Sequence, residues 1–156
     1  MPGTIDARLA ELGIDLPAAP APAANYVPYV ITGNLVFVSG QIPMVDGQLQ
    51  FVGRLGIDGL ELEDGYAAAR LCGLNLIAQA RASCGGDLDR VKRVVKLGGF
   101  VACTREFIDH PKVVNGASDL MVEVFGDAGR HARFAVGART LPLGVAVEVD
   151  GVFEVA

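Results

Sequence analysis

The stretch ARFAVGARTLPLGVAVEVDGVFEV, residues 132–155, alternates apolar and polar positions over two runs separated by TLPLG. Period two is the signature of strands with one buried face, so 132–138 and 145–155 are predicted strands. Val145, Val147, Val149 and Phe153 share one face of the last strand, with Glu148 and Asp150 opposite. On the strand before it, Arg133 shares a face with Ala135 and Gly137. A hairpin turning through 140–144 would bring Arg133 near Glu148, although the register is not fixed by the sequence. A guanidinium at the mouth of an apolar run needs water or an anion, because burying it unpaired costs several kcal/mol. Two readings stay open here: a rim arginine paired with Glu148, the commoner arrangement, or a residue that holds a ligand. The small Ala135 and Gly137 likewise leave room for a ligand or permit a neighbouring element to pack closely.

Working back along the chain, YVITGNLVFVSGQIP (29–43) contains two β-rich runs, 29–32 and 35–40, about Gly33-Asn34, a pair suited to a tight hairpin. DGQLQFVGRLG (46–56) either extends the sheet or forms a loop. From Glu61 to about Ser83, Leu71, Leu74, Ile77 and Ala78 recur at helical spacing, acids open the segment and Cys84-Gly85-Gly86 closes it. A strand is predicted near 91–103. After it Val114, Ala117, Leu120, Met121 and Val124 mark a second helix. The order ββαβαββ predicts an α+β sandwich, a mostly antiparallel sheet with two helices on one face. Upstream, TIDARLAEL (4–12) reads as a short helix with Thr4 as N-cap and Gly13 at its end, and a Pro/Ala-rich connector follows. The chain therefore divides into an N-terminal segment, 1–24, and a domain, 25–156.

Composition narrows the function classes. The 156 residues carry 13 basic and 18 acidic groups, a formal charge of −5, with no basic cluster able to track a phosphate backbone. Aromatic content of 6% without tryptophan leaves few stacking platforms, so nucleic acid is a poor partner. The chain is 51% hydrophobic, with mean hydropathy +0.40, yet no run approaches the ~18 residues of a membrane span. The apolar surplus suggests interfaces between subunits. Cys72, Cys84 and Cys103 have neither zinc-site nor CxxC spacing and read as free thiols of a reducing cytosol. The N-terminus lacks the apolar core of a secretory signal, which makes the cytoplasm the default. Nothing in the sequence calls for a metal or cofactor.

SGQIP (39–43) ends the second strand with Ser39 and Gly40, whose backbone a ligand can approach; a turn out of the sheet is the plainer reading. His110 and His131 lack the sequence neighbours of a hydrolytic triad and read as surface or capping residues.

VPYV, LVFVSGQIP, VNGASDLMVEVF and above all HARFAVGARTLPLGVAVEVDGVFEV make residues 25–155 resemble the RidA (YjgF) family of reactive-intermediate deaminases, in its longer-chain branch. The specific match is Arg133, eight residues before Leu141-Pro142 and fifteen before Glu148. The resemblance implies a chorismate-mutase-like homotrimer with clefts between subunits, and hydrolysis of 2-imino acids or enamines, such as 2-iminobutanoate and 2-aminoacrylate, to 2-keto acids and ammonia. Arg133 would grip the substrate carboxylate, while Glu148 and the Gly40 carbonyl would position the water. Tyr29 and Asn115 would line the pocket and Ser39 its wall. Ala135 stands where many relatives carry cysteine, which enlarges the pocket. A cation beside Glu148 would lower its pKa and favour the ionised form. The alternatives are a non-catalytic trimer binding small 2-keto carboxylates and, against the acidic charge, a ribonuclease or translation inhibitor.

Overall fold

A computed structural model describes residues 3–22 and 24–156; Met1, Pro2 and Ala23 of the N-terminal segment lie outside the described residues. β1 (Tyr29–Thr32) and β2 (Leu35–Gln41) form the expected antiparallel hairpin, with Gly33 alone of its turn pair taking a positive φ, +59°. A two-residue hairpin, β3 (Met44–Val45) and β4 (Gln48–Leu49), settles part of the open reading of 46–56. Helix α2 (Leu62–Ser83) starts where its acids indicate: the backbone N–H of Glu61 donates to the Asp64 carboxylate at 2.8 Å. Strand β5 (Val91–Ala102), helix α3 (His110–Phe125), strand β6 (Ala132–Ala138) and strand β7 (Val147–Val155) complete the order.

The five long strands make one mixed sheet in the order β1-β2-β7-β5-β6, with α2 and α3 packed together on one face. Here the structure corrects the expected closing hairpin. β6 and β7 are not neighbours, because β5 lies between them, paired parallel to β6 and antiparallel to β7. The reason is the helix between β5 and β6. A strand-helix-strand unit crosses over and returns its second strand parallel to the first, which leaves the far side of β5 open to β7. The α+β architecture itself is as expected.

The core lies between this sheet and the helices. Val36, Leu97, Val101, Val149 and Phe153 meet Leu76, Ile77, Leu120 and Met121, all fully buried. Each such side chain contributes about 1.5–3 kcal/mol of transfer free energy. The opposite sheet face is bare and carries Val30, Phe37, Phe100 and Val136, each 38–53% exposed.

Helix α1 (Thr4–Glu11) forms as expected, but Thr4 is not its cap. Gly3 occupies the N-cap, and the Thr4 and Ile5 N–H groups donate to the carboxylate of Asp89, 2.8 and 2.9 Å away. Those bonds lower the pKa of Asp89. With Leu9 buried and Arg81 paired to Asp6 at 3.0 Å, α1 is fastened to the body of the domain. Among the described residues no helix is long and apolar enough to cross a membrane.

Candidate functional site

Two separate groups of the expected residues emerge, on opposite faces of the sheet. The first gathers at the end of β2. Ser39, Gly40 and Glu148 line a cavity of about 340 Å³ together with Pro20, Tyr26 and Leu143. Gly40 is needed for close approach: a Cβ there would collide with Oε2 of Glu148. The Ser39 hydroxyl donates to the Val27 carbonyl at 2.8 Å and ties down the connector that forms the outer wall. The walls are held from beneath by two amides of α2. Gln79 Nε2 donates to the Pro20 carbonyl at 2.6 Å, and Asn75 Nδ2 donates to the carbonyls of Ile42 and Met44 at 3.0 and 3.1 Å. Both amides are about 1% exposed. A buried amide in a helix is a sign of a backbone segment needing partners, a signal present in the sequence around Asn75 and Gln79.

Glu148 is half-buried, and burial, followed by the neighbouring Asp150 carboxylate, raises its pKa. Within one chain this reverses the expected direction, because Arg133 is not beside it. Glu148 lies level with Phe100 on the bare face of the sheet, whereas Arg133 lies level with buried Leu97 and turns toward α3.

That second group centres on the guanidinium. Arg133 Nη1 donates to Asn115 Oδ1 at 2.9 Å and to Ser118 Oγ at 3.1 Å, and Nη2 to the Pro111 carbonyl at 3.4 Å. All its partners are neutral oxygens; among the described residues no carboxylate lies within ion-pair distance. Burial lowers its pKa, opposed by Asp119, and an arginine so placed stays charged. The rim pair with Glu148 is therefore not formed within the chain.

The remaining expected residues fall less centrally. Tyr29 packs partly buried against the core, and Tyr26, three residues earlier, lines the cavity. Ala135 also packs against the core, and a Cβ on Gly137 would meet His110 and Cys103, with which Gly137 lines an open cavity. The histidines are not simple surface groups. His110 Nε2 lies 3.4 Å from Cys103 Sγ, and half-buried His131 reaches Ser118 Oγ at 2.8 Å. Sequence spacing held no hint of either contact, since both depend on how α3 lies along β5 and β6.

Within one chain, Arg133, which has no carboxylate partner, and Glu148 therefore stand on opposite faces of the sheet. Residues 6–153 match the family described as "YjgF/chorismate_mutase-like, putative endoribonuclease". Over 153 residues the chain is 52% identical to Protein TCP17 of Trypanosoma cruzi, covering 97% of this chain and 94% of the relative. The crystal structure of Atu1372, a protein of unknown function from Agrobacterium tumefaciens, shares 47% identity at a TM-score of 0.90, over 97% of this chain and 92% of that one. A Shewanella oneidensis protein described as a "putative endoribonuclease" shares 40% identity at 0.93, over 98% and 100%. RidA of a Psychrobacter species is more distant, 25% identical at 0.61, over 88% and 94%.

Proposed function

Because the chain belongs to the YjgF/RidA family, we propose that it hydrolyses 2-imino acids, or their enamine tautomers such as 2-aminoacrylate, to the 2-keto acid and ammonia, in clefts between the subunits of a homotrimer. The observation that carries this reading is Arg133: a partly buried cation oriented by neutral oxygens and left without a carboxylate of its own. Such a guanidinium suits the carboxylate of a small acid, which it grips and orients through parallel charge-assisted bonds. Tyr29 and Asn115 serve the cleft from its walls, as does Ser39.

The chemistry asked of the site is small. Water adds to C2 of the iminium, giving a carbinolamine; its nitrogen gains a proton and leaves as ammonia while the C2 hydroxyl loses one to become the ketone. Glu148 and the Gly40 carbonyl, which share one cavity, orient the attacking water, and Glu148 carries the proton between oxygen and nitrogen. Burial raises the Glu148 pKa in the isolated chain, and Arg133 of the partner subunit, closing on the same ligand, lowers it again. A cleft of this kind needs no group beyond side chains and backbone, since imines already hydrolyse in water. The acidic net charge of −5 weighs against a ribonuclease.

The test is the loss of 2-iminobutanoate generated in situ by a dehydratase and trapped with semicarbazide. The parent protein is expected to suppress trapping and Arg133→Ala to lose at least about 100-fold in turnover while keeping its assembly. Binding of 2-oxobutanoate without any effect on trapping would establish instead a carboxylate-binding trimer. Full activity in the variant would remove Arg133 from the mechanism.

A further inference from the structure

His131 takes no part in the hydrolysis described above, yet both of its ring nitrogens are engaged. Nδ1 lies 2.6 Å from the Gly129 carbonyl oxygen and Nε2 lies 2.8 Å from Ser118 Oγ. A carbonyl only accepts, so Nδ1 carries the proton, and the neutral ring offers a lone pair at Nε2. The single Ser118 hydroxyl proton goes to that lone pair. The serine oxygen is then left as an acceptor, and Arg133 Nη1 donates to it at 3.1 Å. Burial, opposed by the bond to the Gly129 carbonyl and aided by the Arg133 charge, keeps His131 below the usual histidine pKa and so favours the neutral ring this chain of bonds requires.

The other Nη1 proton goes to Asn115 Oδ1 at 2.9 Å, so both are committed to α3. Nη2 has one contact, to the Pro111 carbonyl at 3.4 Å. The guanidinium is thereby held against α3 through Nη1, while Nε, with no hydrogen bond to the described residues, and the second Nη2 proton are left to meet an anion. We infer that His131, acting through Ser118, is a positioning residue that sets which edge of the Arg133 guanidinium meets the substrate carboxylate. The inference rests on the proposed role of Arg133 and adds to it a device made from two residues that never touch the substrate.

Two conservative variants separate this role from a structural one. Asparagine at 131 retains a donor near the Nδ1 position for the Gly129 carbonyl and has no atom where Nε2 was. Glutamine places an amide oxygen near the Nε2 position and loses the Nδ1 donor. His131→Asn and Ser118→Ala are expected to weaken binding of 2-oxobutanoate, read by titration calorimetry, about tenfold with kcat within about twofold of the parent. His131→Gln and Ser118→Thr are expected to bind as the parent does. The reverse order, with Asn harmless and Gln damaging, would assign His131 to the Gly129 turn alone and overturn the inference. With only two histidines in the chain, the ¹⁵N spectrum reads the tautomer directly: His131 protonated at Nδ1 at pH 7 supports the relay, and at Nε2 overturns it. Full turnover in Arg133→Ala would take the parent reading and the relay down together. Loss of turnover there, with parental binding in His131→Asn, would remove the relay only.

Discussion

Arg133 and Glu148 sit fifteen residues apart in the chain and are brought to opposite faces of the same sheet, so each is set by its own surroundings. Glu148 illustrates what that costs. Its pKa is raised by burial, then by Asp150, which means that the folded protein favours the protonated carboxyl and is less stable where the group must ionise. A raised carboxyl pKa contributes stability that is present below the unfolded value and is lost as pH rises through the folded one. In ligand-free protein, where no partner Arg133 has closed on Glu148, Glu148→Gln, neutral at every pH, is therefore expected to melt higher than the parent at pH 7, while the two converge at acid pH, where the parent carboxyl regains its proton. The same variant is expected to have no measurable imine hydrolysis. Thermal denaturation at the two pH values checks the first expectation, and a variant less stable at pH 7 would contradict the desolvation argument.

Helix α3 does two jobs: it supplies the oxygens that orient Arg133, and it packs on α2 closely enough to fix where those oxygens lie. The close approach is possible because Gly116 has no side chain; a Cβ there would run into the Tyr66 carbonyl of α2. Because that obstacle is backbone, relief requires the helices to part. Gly116→Ala is expected to destabilise the fold by about 1–3 kcal/mol, read by chemical denaturation, and to weaken carboxylate binding through displaced Asn115 and Ser118. Gly73 plays the matching part on α2, against Leu120 and Ala117. The Tyr66 hydroxyl, which donates to Asp119 at 2.7 Å, ties the same two helices nearer the surface, and that bond raises its pKa to about 12.

A sheet covered by helices on one side only leaves the other to be covered by something else. Val30, Phe37, Phe100 and Val136 expose apolar surface on that bare face, with the acidic Glu148 and Asp150 of the central strand β7 between the two phenylalanines. Exposed apolar groups concentrated on one face of a soluble domain are the mark of an association surface. The homotrimer proposed above would bury it, bringing the cavity at Gly40 to the edge of a neighbouring chain. Phe37, between the fully or nearly buried Val36 and Val38, projects from this face. Phe37→Asp is expected to shift the protein from trimer to monomer in sedimentation velocity and to lose turnover although Arg133 and Glu148 are untouched. A variant that stays trimeric would place the interface elsewhere.

The sequence by itself determined the elements. A β-rich run marks 35–40, alternation marks the last strand, helical spacing marks the long helix to Ser83, and Gly33 announces the first turn, because each of these signals is written in neighbouring residues. It also identified Arg133 as a charge needing a partner, from the apolar run around it. What the tertiary structure alone decided was adjacency. The order of β5, α3 and β6 implies a parallel return, but only pairing placed β5 between β6 and β7 and so separated Arg133 from Glu148. The placing of Tyr26 at the cavity, the service of Gln79 to Pro20, and the Arg133, Ser118 and His131 chain are decisions of the same kind. Local sequence sets backbone preference and the pattern of burial, whereas a hydrogen bond between distant segments depends on docking geometry to within a fraction of an ångström.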